Sequence, residues 1–302
     1  MGKVIAVCTS LARGTAKQNV GRAVFRVGHG IEGDAHAGNW HRQVSLLSYD
    51  KVQAFNARGA AVTDGAFGEN LLVEGYDFRT LPVGTLLRCG EVLLELTQIG
   101  KECHNGCEIF QRMGECIMPR EGVFARVLHG GTIAVGDEMH PVYRVGILTV
   151  SDKGARGERT DESGPRIAAL LPDDYAAVEC RMVPDEGEAI AQALRALCDE
   201  VHCDLVLTTG GTGFSPRDVT PEATTAVCDR MAPGIAEAIR AESLRITKRA
   251  MLSRGVSGIR GRTLLINLPG SPKAVAESMA VFIGVVGHGL ALLHGTDGEC
   301  AR

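Results

Sequence analysis

A short apolar run passes directly into a glycine-dense turn at residues 205–213 (LVLTTGGTG), and this stretch constrains the fold more than any other. Glycine permits backbone angles that are closed to other residues, so a ligand can come against bare amides. In open α/β sheets, ligands bind at the carboxyl ends of the strands. With two threonine hydroxyls beside the glycines, the stretch predicts a buried strand whose end binds a phosphate or another ligand rich in polar oxygens. Tight packing of the turn is the alternative interpretation.

The composition limits the class of protein. The chain has 302 residues, enough for about two domains. Its net charge of -4 argues against a general nucleic-acid surface, which would be strongly basic. Its ten cysteines are scattered, and its first residues lack the basic flank and apolar core of a secretory signal. We therefore expect reduced thiols and a cytoplasmic protein.

The apolar stretch at residues 274–293 resembles a membrane segment in composition. It contains Glu277, His288 and three glycines, so a bilayer-spanning helix fits poorly. Ser271 and Pro272 are well suited to be the N-cap and the first residue of a helix. The sequence therefore predicts a buried C-terminal helix and no membrane association.

The pattern of apolar residues divides the chain into two domains, residues 1–142 and 143–302. The first half carries short apolar runs broken by glycine, which predicts a β-rich, closed or half-closed barrel. The second half alternates strands and helices, which predicts a three-layer α/β domain with a mainly parallel sheet. Residues 139–141 are predicted to form a brief joint between them. The predicted strands of the first half lie at 4–6, 24–27, 44–47, 70–73, 85–87 and 92–96.

The ends of four predicted parallel strands carry polar residues, and parallel strands end at one edge of a sheet. The residues delivered there are Ser151, Asp152 and Lys153, then Pro184 and Asp185, then Gly210, Gly211, Thr212 and Gly213 with Arg217 and Asp218, and last Asn267, Pro269, Gly270, Ser271 and Lys273. The sequence therefore predicts one cleft that combines carboxylates, bare amides and the N-termini of helices.

This combination has a direct chemical interpretation. Amides at helix N-termini attract anions, whereas Asp185 and Asp218 would repel a polyphosphate unless a divalent cation lay between them. Mg²⁺ held by one or two carboxylates and by substrate phosphates is the usual solution. The cleft therefore predicts phosphoryl or nucleotidyl transfer. The alternative for Asp185 and Asp218 is that each merely caps a helix or a turn.

Five motifs of the second half occur in the order of a known family: TVSD at 149–152, VPDE at 183–186, TTGGTG at 208–213, RDVTP at 217–221 and NLPGSPK at 267–273. They resemble the bacterial molybdopterin adenylyltransferases over residues 144–294. The resemblance implies that Mg-ATP adenylylates the terminal phosphate of molybdopterin, with release of pyrophosphate. It also implies a homotrimer formed through this domain.

The same resemblance assigns roles to individual residues. Asp185 and Asp218 would be the catalytic carboxylates and the ligands of Mg²⁺. The substrate site would be lined by Ser151, Asp152, Gly210, Gly211, Thr212, Gly213, Pro269, Gly270 and Ser271.

A cluster of cysteines in the first half comprises Cys103, Cys107 and Cys116. A thiolate stabilised by nearby cationic groups could carry sulfur or bind a soft metal. A zinc or iron–sulfur site is a second interpretation, although the C-x3-C spacing departs from common zinc pairs. Simple burial is the third, since cysteine is among the most buried residue types. A smaller cluster, Asp34 with His36 and His41, is more typical of hydrogen-bonded structure than of a metal site.

Four motifs of the first half also occur in family order: GIEGDAHAG at 30–38, RQVSLL at 42–47, FGENL at 67–71 and GKEC at 100–103. Over residues 2–139 they resemble the MOSC domain, the C-terminal domain of molybdenum cofactor sulfurases. The resemblance implies a β-rich domain that binds molybdopterin or its molybdenum complex and handles sulfur through one cysteine. Cys103 matches that cysteine, and the roles of Cys107 and Cys116 stay open.

Two domains that resemble proteins acting on one ligand favour a single hypothesis, an enzyme of molybdenum cofactor biosynthesis. Its second half would adenylylate molybdopterin, and its first half would bind or modify the same pterin. The expected partners are a sulfur donor and a molybdate-inserting enzyme. The alternatives are a non-catalytic carrier of pterin or molybdate, and another nucleotide-processing enzyme on the same α/β scaffold.

Overall fold

The computed structural model describes residues 1–102 and 107–295. The predictions made for Cys103 therefore lie outside the described residues. The chain divides between Val142 and Tyr143 into two compact units.

The N-terminal unit is built mainly of short strands. Its strands are β1 (Gly2–Thr9), β2 (Gln18–Asn19), β3 (Arg22–Arg26), β4 (Gly30–Ile31), β5 (Val44–Ser48), β6 (Leu71–Glu74), β7 (Leu86–Cys89), β8 (Val92–Ile99), β9 (Val123–His129), β10 (Gly131–Ala134) and the first residues of β11 (Glu138–Val150). Its α-helices are α1 (Tyr49–Asn56), α2 (Glu108–Met113) and α3 (Met118–Glu121), and a 3-10 turn covers Phe78–Thr80.

Seven of these strands form a closed ring. In order around the ring they are β1, β6, β5, β9, β8, β7 and β11, and β11 pairs again with β1. The β5/β6 pair is parallel and the other pairs of the ring are antiparallel. Of the two arrangements expected from the sequence, the closed barrel is the one observed. Its core contains fully buried aliphatic side chains such as Leu46, Leu71 and Leu94.

The C-terminal unit alternates strands and helices. Its strands are the end of β11, β12 (Tyr175–Val183), β13 (Leu205–Thr209), β14 (Arg230–Met231), β15 (Ser257–Arg260) and β16 (Thr263–Leu268). Its α-helices are α4 (Asp152–Ala155), α5 (Ser163–Ala169), α6 (Gly187–Asp199), α7 (Thr220–Val227), α8 (Pro233–Ile246) and α9 (Pro272–His294), and a 3-10 turn covers Lys248–Leu252.

The sheet of this unit has the order β14-β15-β16-β13-β11-β12, and the four strands β16, β13, β11 and β12 are parallel. Alternate residues of β13 point to opposite faces, because side chains alternate along a strand. Leu205 and Leu207 pack in the core that includes α8 and α9, and Val206 packs in the core that includes α6. Helices therefore cover both faces of the sheet, as the alternating pattern predicts.

Three features of the strands differ from the sequence-based expectations, and the first is that β2, β4 and the seven-residue strand β9 were not predicted. The pair β14/β15 was not predicted, because both strands are short and polar and join the sheet antiparallel at its edge. The predicted joint at 139–141 is wrong, since these residues lie inside the continuous strand β11. Pro141 pairs with Leu87 without ending the strand. Proline tolerates an extended backbone where its missing N–H is not needed.

Within the described ranges, α9 is the one helix long and apolar enough to cross a membrane by length and composition, with a mean hydropathy of 1.7. Its buried side chains recur at helical spacing, as Val275, Met279, Phe282, Val286 and Leu290. This stripe belongs to the core that covers one face of the sheet. The amide of Ala274 donates to Oγ of Ser271 (3.2 Å), so the predicted N-cap is present.

Candidate functional site

The loops that follow β11, β12, β13 and β16 meet at one edge of the sheet in the C-terminal unit. The amide of Ser151 donates to the carbonyl of Val183 (2.9 Å), which joins the first two loops. Oγ1 of Thr209 donates to the carbonyl of Pro269 (2.7 Å), which joins the last two. The predicted residues of this cleft are therefore brought together.

Two carboxylates lie at the ends of β11 and β12. The amide of Asp152 donates to Oδ2 of Asp185 (2.8 Å), and the amide of Asp185 donates to Oδ1 of Asp152 (3.0 Å). Arg217 reaches the same place, where its Nη2 and Nε donate to the two oxygens of Asp152 at 2.8 and 3.1 Å. Asp152 is thus paired with a guanidinium, whereas the carboxylate of Asp185 accepts a main-chain amide and, among the described residues, no side-chain donor.

The two carboxyl groups differ in acidity as a consequence. Burial, together with the nearby carboxylates of Asp152 and Asp218, raises the pKa of Asp185. The hydrogen bonds from Arg217 lower the pKa of Asp152. A carboxylate that is partly buried beside two others favours a cation, because a cation removes their mutual repulsion.

The glycine loop (residues 210–213) requires its glycines. Gly210 and Gly211 have φ values of +99° and +63°, a region that side chains rarely adopt. A Cβ on Gly210 would lie 2.3 Å from the carbonyl oxygen of Val150. A Cβ on Gly211 would lie 2.3 Å from Oγ1 of Thr220 and 3.3 Å from Oδ1 of Asp185. The loop therefore approaches both the strand end and the Asp185 carboxylate with bare backbone.

Asp218 closes the other side of the glycine loop. Its Oδ2 accepts the amide of Ser215 (2.8 Å) and would lie 2.9 Å from a Cβ on Gly213. Asp185 and Asp218 thus flank the loop at Gly211 and Gly213 respectively. Two carboxylates with room for phosphate oxygens suit a hard cation such as Mg²⁺. Within the residues that the structure describes, no cluster of three His, Cys, Asp or Glu side chains adds further ligands.

Sequence reasoning missed several residues that support the cleft. Oγ of Ser163 donates to the carbonyl of Gly270 (2.9 Å), which holds the turn before α9. Asp161 accepts Oγ1 of Thr149 (2.7 Å) and the amide of Ser163 (3.0 Å). An aspartate whose side chain accepts the amide two residues further on forms an Asx turn, so Asp161 was the one local signal for this loop.

The N-terminal unit has a cavity of about 610 Å³. Cationic groups and apolar side chains both line it, since the lining includes His36, Trp40, Arg42, Phe67, Lys101, Arg112, Met118 and Phe124. The guanidinium of Arg42 lies over the rings of Trp40 (5.0 Å) and Phe124 (5.5 Å). Nε of Arg42 and Nδ1 of His36 are buried, and among the described residues neither has a hydrogen-bond partner. A concave site with aromatic rings and an unsatisfied guanidinium donor suits a flat, anionic ligand.

Two of the three clustered cysteines also line this cavity, Cys107 and Cys116. Cys107 is exposed and precedes the first residue of α2. Simple burial therefore does not describe Cys107.

Asp34, from the smaller cluster, has a structural partner. Both of its carboxylate oxygens accept Nζ of Lys17, at 2.9 and 2.8 Å, and both side chains are buried. Nδ1 of His36 lies 3.7 Å from Oδ2 of Asp34. The cluster is hydrogen-bonded structure, in agreement with the interpretation favoured from the sequence.

Comparisons with known proteins bear on both units. Residues 146–288 match the family described as "probable molybdopterin binding domain", and residues 33–140 match the MOSC domain. A molybdopterin adenylyltransferase of Haemophilus influenzae is 45% identical over 144 residues, which cover 47% of this chain and 73% of that protein. One of Helicobacter pylori strain J99 is 44% identical over 142 residues, covering 46% and 81%.

A solved structure, the molybdopterin biosynthesis enzyme MoaB of Thermus thermophilus, is 50% identical and has a TM-score of 0.49. The match covers 51% of this chain and 98% of that one.

Proposed function

Because the chain belongs, through its C-terminal unit, to the molybdopterin adenylyltransferase family, we propose that it transfers the adenylyl group of ATP to the terminal phosphate of molybdopterin and releases pyrophosphate. The chain is an enzyme of molybdenum cofactor biosynthesis, a nucleotidyltransferase joined to a MOSC domain. The observation that carries the proposal is the position of Asp185 and Asp218 on either side of a loop of bare backbone.

The chemistry of the transfer needs positioning and charge neutralisation. An oxygen of the terminal phosphate of molybdopterin attacks the α-phosphorus of ATP, and the bond to pyrophosphate breaks. The amides of the glycine loop bind phosphate oxygens, and these hydrogen bonds strengthen as negative charge develops on the oxygens in the transition state. Asp185 and Asp218 would hold Mg²⁺, whose positive charge would offset the repulsion between the phosphates and these carboxylates. Ser151, Asp152 and the turn Pro269, Gly270 and Ser271 complete the walls of the site.

The cavity of the N-terminal unit is proposed to bind molybdopterin or its molybdenum complex. Its aromatic rings suit a pterin, and its cationic side chains suit the phosphate group. Cys103 is proposed as the residue that handles sulfur, delivered by a separate sulfur donor. Lys101, which is two residues away from Cys103 in sequence, lines the cavity.

We further propose a cytoplasmic homotrimer formed through the C-terminal unit, whose product passes to a molybdate-inserting enzyme. Exposed apolar side chains at the end of α8 and in the following turn support an interface there. They are Leu244, Ile246, Met251 and Leu252.

The test incubates the purified full chain with molybdopterin and Mg-ATP, and follows adenylylated pterin by mass spectrometry together with pyrophosphate. Product from the wild type and none from Asp185→Asn protein would support the proposal. Bound pterin without product would indicate a carrier instead. Cleavage of ADP-ribose, or release of AMP from adenylylated pterin on addition of molybdate, would indicate a different nucleotide-processing enzyme.

A further inference from the structure

Every carbonyl of the glycine loop has a hydrogen-bond donor. The carbonyls of Gly210 and Gly211 accept Oγ1 (3.0 Å) and the amide (3.2 Å) of Thr220. The next two carbonyls accept from Arg254, through its amide (2.9 Å) and its side-chain Nε (2.7 Å). Two residues, neither of them in the loop, thus hold all four carbonyl groups.

The direction of these carbonyls fixes the direction of the amides. In a planar trans peptide, the C=O of one residue and the N–H of the next point to opposite sides. The amides of residues 211–214 therefore point away from Thr220 and Arg254. Within the described part of the chain, these amides donate to no acceptor. Successive main-chain amides that have no acceptor in the protein can form a concavity that binds anions.

Arg254 also extends beyond the loop. Its Nη2 donates to the carbonyl of Asp218, and its Nη1 donates to the carboxylate of Glu222 in the first turn of α7. One guanidinium thus joins the glycine loop, the main chain of Asp218 and the following helix. A lysine could not replace it, since its single ammonium cannot match several acceptors in a fixed planar arrangement.

We propose that Arg254 is a positioning residue for adenylyl transfer, which holds the amides of the glycine loop and the main chain of Asp218 in the arrangement that binds phosphate. The inference rests on the proposed function for its reaction, and on the contacts of Arg254 for its geometry. Arg254 touches the backbone of the loop, so its effect on substrate passes through the loop amides and Asp218.

The test compares Arg254→Ala with Arg260→Ala. Arg260 is the control, because its side chain likewise joins main chain to a carboxylate: it donates to the carbonyl of Val227 and to Asp199, whereas Arg254 donates to two carbonyls and Glu222. Neither Val227 nor Asp199 belongs to the glycine loop, and the side chains are similarly exposed, at 27% for Arg260 and 33% for Arg254. The measurements are kcat and KM for adenylylated pterin, the temperature of unfolding, and the affinity for Mg-pyrophosphate.

We expect both variants to lose stability, and Arg254→Ala alone to lose roughly 100-fold in kcat, the scale of a misplacement of about 1 Å. Millimolar guanidinium should restore part of the activity of Arg254→Ala and none in Arg260→Ala. Arg254→Lys should remain impaired although it keeps the charge. A loss of kcat no greater than that of Arg260→Ala, or a failure of guanidinium to restore activity, would overturn the inference.

The affinity for Mg-pyrophosphate separates this inference from the proposed function. If the wild type forms no adenylylated pterin, the proposed reaction fails. Weaker pyrophosphate binding by Arg254→Ala, by about tenfold relative to Arg260→Ala, would then still support the role of Arg254 in shaping the loop. Equal binding by the two variants would contradict it.

Discussion

Lys17 and Asp34 form an ion pair inside the barrel unit, with Nζ at 2.9 and 2.8 Å from the two carboxylate oxygens. The side chains are 1% and 0% exposed, so neither charge is stabilised by water. Asp34 also accepts the amides of Ser10 (3.0 Å) and His36 (3.2 Å). The pair thereby holds the segments that carry Gly14 and His36, both of which line the cavity.

Removal of one partner of this pair should be costly. We expect Asp34→Ala to lower the free energy of unfolding of the barrel unit by about 3–5 kcal/mol, because it leaves Lys17 buried and uncompensated. The double variant Lys17→Met, Asp34→Leu should lose less. Trp40 is the single tryptophan of the chain and lies in this unit, so its fluorescence during denaturation measures the effect. A loss below about 1 kcal/mol would show that the pair is not the support we infer.

The pH dependence of the barrel should reflect Glu69. Burial raises the pKa of Glu69 to about 7, although the amides of Gly65 and Phe67 donate to its carboxylate. A carboxyl group whose pKa is raised on folding stabilises the fold below its ordinary pKa, and this stability is lost as the pH rises through about 7. We therefore expect the unit to be about 1 kcal/mol less stable at pH 8 than at pH 6. Trp40 fluorescence during denaturation at both values measures it, and Glu69→Gln should flatten the difference.

Asp185→Asn should separate activity from stability. The variant should lose roughly 100-fold or more of the adenylylation rate, the scale of lost charge stabilisation in a site of this kind. It should nevertheless unfold at a higher temperature at neutral pH, because burial and two nearby carboxylates raise the pKa of Asp185 and thus destabilise its ionised form. An amide oxygen can still accept the N–H of Asp152. A variant that is both active and less stable would remove Asp185 from its proposed role.

The glycine loop should not tolerate a methyl group. In Gly211→Ala the new Cβ would lie 2.3 Å from Oγ1 of Thr220 at a φ of +63°, so the loop must shift. We expect adenylylation to fall by at least about tenfold, since the amides leave their arrangement. Gly187→Ala is the matched control, because a Cβ there meets open space. The measurement compares the adenylylation rates of the two variants under identical conditions, and equal rates would contradict the proposed role of the loop.

We expect Arg42 to contribute to ligand binding in the cavity of the barrel unit. Its buried Nε has no partner within the described ranges, and its guanidinium lies over the rings of Trp40 and Phe124. Arg42→Gln should weaken molybdopterin binding by roughly tenfold, the value of a hydrogen bond to a charged group. Quenching of Trp40 fluorescence by the pterin measures the affinity. Arg79→Gln, whose arginine pairs with Glu121 at the surface, serves as the control; a similar loss there would count against the site.

Local sequence patterns were enough to predict the parallel strands and the loops at their ends. Strands such as β13 are continuous apolar runs, and the glycines that follow them need their backbone angles whatever the rest of the fold does. The role of Arg254 could not be predicted in this way, since Arg254 is 41 residues from Gly213 and no local pattern joins them. Strands β14 and β15 were not predicted because they are only two and four residues long and lack an apolar run.

The donors of the glycine loop are main-chain amides, which neither gain nor lose a proton in ordinary buffers. Residues 211–214 would therefore offer an anion the same donors in acid and in alkaline solution. The acid limb of a rate profile would then report the carboxylates beside the loop, Asp185 first among them, because its pKa is the one raised. The fall in rate at alkaline pH would reflect titration of the substrates rather than of the loop amides that hold them.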